Sequence, residues 1–270
     1  LGDVYKRQAI GYAALSTEDG HGKNVAIGYR SLTSQDAGSN AYNVAIGFDS
    51  GRLISTGGQN TIIGGLAGDA LTSGDNNTAL GYSTLGAETL GDRNVAIGNF
   101  ALQVQNNTSN ADVYNTAVGF AAGGSITTGI QNTLIGGLAG DALTTGSYNI
   151  ALGYSALSSE DANGRNVAIG YFALYSQNAG VDAYNIAIGH SAGQAITTAI
   201  EDVVIGGLAG NSLTTGGRNT ALGHRALKNE TEGNYNTAIG TEALSLQNTA
   251  SNSYNTAVGF RAGYNTTTGN

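Results

Sequence analysis

The sequence predicts an all-β fold, a parallel β-solenoid of about 15 coils that are mostly about 17 residues long. Two observations support this prediction. A five-residue stretch, of which Asn166-Val167-Ala168-Ile169-Gly170 is typical, returns at nearly constant spacing, and glycine supplies 43 of the 270 residues while proline supplies none. A short fixed period is typical of stacked units, none of which can bury its apolar face alone.

The first residue of each stretch, called position one of its coil, is asparagine in all full copies except one. The set is Asn24, Asn43, Asn60, Asn77, Asn94, Asn115, Asn132, Asn149, Asn166, Asn185, Asn219, Asn236 and Asn255. We predict that these side chains stack and hydrogen-bond from coil to coil, as amide ladders do. A polar binding surface is the alternative interpretation.

Asp202 takes position one in the remaining full copy and directly follows Glu201. A carboxylate cannot donate a hydrogen bond to its neighbour, so we expect this coil to be locally weaker. An acid pair that serves catalysis is the alternative, although no third chemical group is expected to converge there.

The coils form a four-coil super-repeat of 70 to 72 residues. Position nine is leucine in the first two coils, as at Leu157 and Leu174, and glycine in the next two. The two glycine coils carry a branched aliphatic residue at position twelve instead, as at Ile196 and Leu213. Each coil is therefore predicted to supply one large apolar residue to its second side.

The Asn-x-Ala-Ile-Gly stretch predicts a short strand, because aliphatic or β-branched residues alternate with small ones. Positions two and four would line one face of the stacked sheet and position three the other. Both faces are largely apolar, so both should be buried, and the simplest cover for the outer face is another copy of the chain. The second side, as in residues 155–159, fits either a strand or a single helical turn.

The second coil of each cycle contains an extended connection. These connections are Ser34 to Tyr42, Val104 to Tyr114, Ser176 to Tyr184 and Leu246 to Tyr254, with Gln35, Gln105, Gln177 and Gln247 at position twelve. Insertions that recur at one point of a cycle should protrude along one edge. We therefore predict four display loops around these glutamines.

The composition argues against several classes of function. The formal charge is −8 and the basic residues are scattered, which disfavours nucleic acid as a partner. No apolar run is long enough for a membrane span, and cysteine is absent. His21, His190 and His224 lack a metal-ligand spacing, so we expect no metal. The sequence contains no discernible Ser-His-Asp arrangement, phosphate loop or calcium-binding nonapeptide, so we also expect no cofactor and no enzymatic activity.

Residues 1–8 do not fit the repeat. The segment Asp3–Gln8 resembles the translation of an adaptor end left from sequencing-library preparation, so we expect these residues to carry no biology. Residues 9–270 would then be one repeat array, truncated at both ends and derived from an environmental sample.

The unit Asn-x-Ala-Ile-Gly-Tyr-x-Ala-Leu, followed by a glycine-containing turn, resembles the head repeats of trimeric autotransporter adhesins of the YadA type and similar repeats of bacteriophage tail fibres. The resemblance covers almost all of the chain from Ala9 onward. It implies a left-handed roll with two short strands in each coil and three chains packed around one axis. It also implies an extracellular location, on an outer-membrane-anchored adhesin or a virion tail fibre.

We therefore expect a stiff, non-enzymatic fibre segment that adheres to a host glycan or protein receptor. A pure spacer is the first alternative. Ice binding is the second, because Thr-Thr pairs such as Thr144-Thr145 and Thr214-Thr215 recur, although in only two coils of four. Position six is mostly aromatic, as at Tyr29 and Tyr171, and this row fits either a structural ladder or sugar stacking.

Overall fold

The structure is a computed structural model that describes residues 7–18, 22–109 and 111–268. The chain divides into two compact units, residues 1–131 and 132–270, and each unit is described by itself. Both units are parallel β-solenoids with one three-residue strand in each coil and about 17 residues from strand to strand. The predicted all-β solenoid fold is confirmed.

The first unit contains seven strands within its described residues. They are β1 Gln8–Ile10, β2 Val25–Ile27, β3 Val44–Ile46, β4 Thr61–Ile63, β5 Thr78–Leu80, β6 Val95–Ile97 and β7 Thr116–Val118. Each strand pairs in parallel with the next, position for position, as in Ala26 with Ala45. Strand β1 includes Gln8, so the first coil begins inside the segment that the sequence analysis set apart.

Within residues 132–268, which the structure describes, the second unit contains eight strands of the same kind. They are β8 Thr133–Ile135, β9 Ile150–Leu152, β10 Val167–Ile169, β11 Ile186–Ile188, β12 Val203–Ile205, β13 Thr220–Leu222, β14 Thr237–Ile239 and β15 Thr256–Val258. The register is again position for position, as in Ala168 with Ala187.

In β2 to β15 the middle residue of each strand points into the coil. Ala168 and Ala187 are fully buried, whereas the residues on either side of them are only half-buried. Position three therefore contributes to the interior, and positions two and four form an outer apolar face that remains partly open to solvent in the single chain.

The glycine at position five permits the close stacking of successive coils. At Gly153, φ is 138°, and an added Cβ would lie 2.5 Å from the carbonyl oxygen of Gly170 in the next coil. Residues with a Cβ atom rarely adopt this backbone conformation, and the neighbouring carbonyl leaves no room for a Cβ atom. The residue that follows each strand must therefore be glycine.

The second side of each coil is a series of tight turns. In the coil that starts at Asn149, Ser155 and Leu157 have φ values of 49° and 55°, in the left-handed region. Both sequence-based alternatives for this side, a strand or a helical turn, are therefore wrong. The two strands per coil that the resemblance implied are likewise replaced by one strand and one turn segment.

The left-handed conformation at position nine explains why leucine and glycine alternate there. In coils with leucine, such as Leu157, the side chain enters the interior and is fully buried. In coils with glycine, an added Cβ at Gly140 would lie 2.8 Å from both Leu134 and Leu143, which already fill that space. The interior has room for one large apolar side chain from these two positions, which comes from position nine in the leucine coils and from position twelve in the glycine coils.

Candidate functional site

The asparagines of position one are buried and form a column in each unit. The backbone N–H of Asn77 donates to Oδ1 of Asn60 at 2.8 Å, and Nδ2 of Asn77 donates to the carbonyl of Gly91 at 2.9 Å. The side chains thus bond mainly to backbone groups of neighbouring coils. The amide-to-amide contact that we predicted is present at Asn94 and Asn149.

Burial of this column decides between its two interpretations. Of the column asparagines, Asn24, Asn43, Asn60, Asn77, Asn94, Asn115, Asn132, Asn149, Asn166, Asn185, Asn219 and Asn236 are buried, and Asn255 is half-buried. A ligand at the surface cannot reach side chains in this position. The column holds coils together and is not a binding surface.

Asp202 keeps only half of the hydrogen bonding of the column. Its Oδ1 accepts the backbone N–H of Asn219 at 2.7 Å, but its Oδ2 is buried without a hydrogen-bond partner. Burial raises the pKa of Asp202 to about 7. Glu201 points outward and pairs with Arg218 at 2.8 Å, so the two acids do not converge on one site.

The display loops predicted around the four glutamines do not present the glutamine side chains themselves. Gln35, Gln105, Gln177 and Gln247 are fully buried. Oε1 of Gln105, for example, accepts a hydrogen bond from Nδ2 of Asn115 at 2.8 Å, and its Nε2 donates to Glu88 at 2.8 Å. Position twelve is also buried in other coils, as at Ile54 and Leu71, so the glutamines hold the loops to the interior of the coil.

A buried glutamate at position twelve of the preceding coil was missed by the sequence analysis. Glu230 is fully buried, and its Oε1 accepts three backbone N–H groups, those of Thr231, Gly233 and Thr249, at 2.8 to 3.0 Å. Its Oε2 accepts Nε2 of Gln247 at 2.9 Å. The signal in the sequence was available, because this glutamate recurs one coil before each of the four glutamines.

Glu160 occupies the equivalent place with fewer partners. Its Oε1 accepts only a long hydrogen bond of 3.3 Å from the backbone N–H of Asn163, and its Oε2 is buried without a partner, as is Nε2 of Gln177. Burial raises the pKa of Glu160 to about 7, and the nearby charge of Asp161 adds to the increase. The residue two places after the glutamine is Ala179 here and Thr249 in the better-bonded case.

The extended connections do expose side chains around their buried glutamines. In the loop of residues 36–42, Ser39, Asn40 and Tyr42 are exposed. In the loop of residues 178–184, Val181 and Tyr184 are exposed. These loops therefore offer chemical groups to solvent that the interior columns do not.

Two exposed rows of large side chains run along the coils. At position six, Tyr154, Tyr171 and His190 stack with centroid separations of 5.7 and 5.3 Å. The sequence analysis missed a second row, formed by the residue just before each position one. In that row, the Arg165 guanidinium lies 5.2 Å from the ring of Tyr148 and 5.6 Å from that of Tyr184.

The threonines at position thirteen bond to the next coil. Oγ1 of Thr197 donates to the carbonyl of Thr214 at 3.2 Å, and Oγ1 of Thr214 donates to that of Thr231 at 3.0 Å. Hydroxyls used in this way hold coils together, and an ice-binding surface would need them free for water.

Several kinds of site are absent from the part of the chain that the structure describes. No group of three or more His, Cys, Asp or Glu side chains there could hold a metal ion. Among the same residues, no helix has the length and apolar character needed to cross a membrane. His190 and His224 lie in the exposed row at position six, and His21 lies outside the described residues.

Comparisons with known proteins returned no relatives. A scan against protein-family models and searches of curated proteins and of solved structures found no match.

Proposed function

We propose that this chain is a non-enzymatic segment of an extracellular fibre, on a cell surface or a virion, that associates as a trimer and adheres to a host surface. The observation that supports the trimer is the outer apolar face of the sheet. In the second unit Ile135, Ile150 and Leu152 are exposed, and most of their neighbours at positions two and four are half-buried.

The outer face suits self-association because of its regularity. Residues at the same position lie opposite one another in adjacent strands, as in Val167 with Ile186 and Ile169 with Ile188. Large exposed apolar patches on soluble proteins mark interaction sites, and a surface that repeats in register can meet its own copy at every coil. Three copies around one axis would remove this face from water.

Adhesion is assigned to the extended loops. They carry exposed polar and aromatic side chains, whereas the asparagines of position one are buried. Loops that recur along each unit and on each copy can bind weakly at many points, and the effective concentration of the second site makes the total attachment strong. The partner would be a host glycan or a protein receptor.

The trimer can be tested by sedimentation equilibrium of the purified chain. We expect a single species of three chains, and we expect Ile188→Lys on the outer face to dissociate it because a buried, unpaired charge is costly. Val181→Lys, at an exposed loop position, is the matched control and should remain a trimer. A stable, soluble monomer of the unaltered chain would overturn the proposal.

Adhesion is separated from the spacer role by replacing the exposed residues of all four loops, such as residues 39–40 and 181–182, with Gly and Ser, leaving the buried residues of the loops in place. Loss of attachment to host cells by the folded variant supports adhesion, and unchanged attachment leaves only the spacer. Ice binding would appear as thermal hysteresis in the unaltered chain. We expect none, because threonine hydroxyls at position thirteen, such as those of Thr197 and Thr214, donate to carbonyls.

A further inference from the structure

Beside the loop of residues 36–42 the first unit has an open groove of about 260 Å³. It is lined by Ala37, Ser39, Asn40 and Ala41 from the loop, by Thr56, Gly58 and Gln59 from the next coil, and by Asp75 from the coil after that. Pockets for drug-sized ligands span roughly 300–1,000 Å³, so this volume suits a smaller ligand, of the size of one sugar ring.

The groove is held in shape by contacts between its own walls. The backbone N–H of Gly58 donates to Oδ1 of Asp75 at 2.6 Å, and that of Gln59 donates to the carbonyl of Ala41 at 2.6 Å. The loop and the two following coils are therefore fixed to one another. The side chains of Ser39, Asn40 and Gln59 are exposed around this fixed floor.

The side chains that line the groove suit a ligand with uncharged hydroxyl groups. Hydroxyls from Ser39 and Thr56 and amides from Asn40 and Gln59 can each donate and accept, as the hydroxyls of a sugar do. The lining residues include one carboxylate, that of Asp75, and no lysine or arginine. An anionic ligand would meet a like charge without a basic partner, which leaves an uncharged ligand as the better fit.

The second unit provides an internal comparison, because most of the sequence recurs after 142 residues. The counterparts of Ser39, Asn40, Gly58 and Gln59 are Val181, Asp182, Ile200 and Glu201. A bulky side chain thus replaces the glycine of the floor. Two carboxylates replace the amides.

Both of those carboxylates are already paired with arginines. Asp182 accepts Nε of Arg165 at 2.7 Å, and Glu201 accepts Nε of Arg218 at 2.8 Å. The counterpart in the second unit is therefore more crowded, and its polar groups are engaged within the chain.

We propose that the groove of the first unit binds one neutral pyranose ring of a glycan, and that Asn40 and Gln59 supply specific hydrogen bonds to its hydroxyls. This proposal deepens the adhesive function proposed above, and rests on it for the biological source of the sugar. A single site of this size binds weakly, with Kd of about 1 mM, and attachment would come from repetition on several copies.

The test is ligand-detected saturation-transfer NMR on the full chain, with the methyl glycosides of glucose, galactose, mannose and N-acetylglucosamine as probes and free N-acetylneuraminic acid as the acidic comparator. We expect transfer to at least one neutral probe. We expect affinity to fall about tenfold or more in the variant Asn40→Ala with Gln59→Ala, because each hydrogen bond contributes a factor of several.

The matched control is Asp182→Ala with Glu201→Ala, which should bind as the unaltered chain does. Gly58→Ile introduces the side chain that Ile200 has in the second unit and should abolish binding. Circular dichroism checks that this variant folds. No transfer to any neutral probe, stronger transfer to the acidic sugar, or binding unaffected by the change at Asn40 and Gln59 would overturn the proposal.

The experiments distinguish a failure of the sugar-binding proposal from a failure of the adhesive function. If the variant with Asn40→Ala and Gln59→Ala loses the sugar but still attaches to cells, the groove is a sugar site and adhesion uses other loops. If the unaltered chain binds a neutral glycoside but attaches to no cell, the adhesive function fails and the groove stands.

Discussion

Two glutamates of the second unit occupy the same place in the repeat and have different surroundings. Glu230 accepts three backbone N–H groups as well as Gln247 and the hydroxyl of Thr249, whereas Glu160 has one long hydrogen bond and an unpartnered oxygen. Both are fully buried. The difference shows that the stacking of coils does not by itself satisfy the hydrogen bonding of a buried carboxylate. The neighbouring loop must also supply hydrogen-bond donors.

The largest expected effect comes from removing the better-held glutamate. Glu230→Ala should lower the free energy of unfolding by about 4 kcal/mol, because several buried donors lose their acceptor at once. Glu160→Ala should cost about 1 kcal/mol, since it also removes a poorly satisfied charge. Urea unfolding followed by circular dichroism measures both, and equal losses would contradict the comparison.

A pH effect of intermediate size is expected from the two acids with a raised pKa. The pKa values of Asp202 and Glu160 are both raised to about 7 by burial, above those of the unfolded chain. Their stabilising contribution is therefore complete below about pH 4 and is lost as the pH rises through 7. For Asp202 the loss amounts to a few kcal/mol, because each tenfold change in the acid dissociation constant corresponds to about 1.4 kcal/mol.

Asp202→Asn isolates this effect because it restores the residue found at position one of the other full coils. The variant should be more stable than the unaltered chain at pH 8, with most of the difference gone at pH 4. Unfolding free energies at the two pH values test this. A difference that does not change with pH would mean that Asp202 does not titrate between them.

The smallest effect is expected from improving the poorer site. Ala179→Thr imports the hydroxyl that Thr249 provides to Glu230, and should stabilise the chain by about 1 kcal/mol at pH 8. It should also lower the pKa of Glu160, which a carboxyl ¹³C titration would detect. Val181→Thr, in the same loop but exposed, is the control and should change neither quantity.

The fold could be predicted from the sequence because its constraints repeat. Glycine at position five and asparagine at position one recur at the spacing of a coil, so errors at single positions do not obscure the pattern. Likewise, the alternation of Leu157 with residues such as Leu143 predicted one large apolar side chain per coil, and both are buried.

The candidate sites were harder to predict for a physical reason. The direction of a side chain in a turn depends on backbone angles, and left-handed residues such as Ser155 and Leu157 are not marked by glycine. The sequence analysis therefore placed a display loop around Gln177 without recognising that its side chain is buried, and Glu160 was overlooked. The groove depends on Gly58 lying beside Asp75, a contact between coils that the sequence pattern does not reveal.

The central claim is that inward-pointing asparagines tie each coil to the next, and amide hydrogen exchange measured by NMR tests it most directly. The backbone N–H groups of Asn60, Asn77 and Asn219 donate to buried position-one side chains, so we predict that they exchange slowly, close to the limit set by global unfolding. The exposed loop amide of Asn40 should exchange rapidly. Rapid exchange at the position-one asparagines, comparable with that of Asn40, would contradict the account.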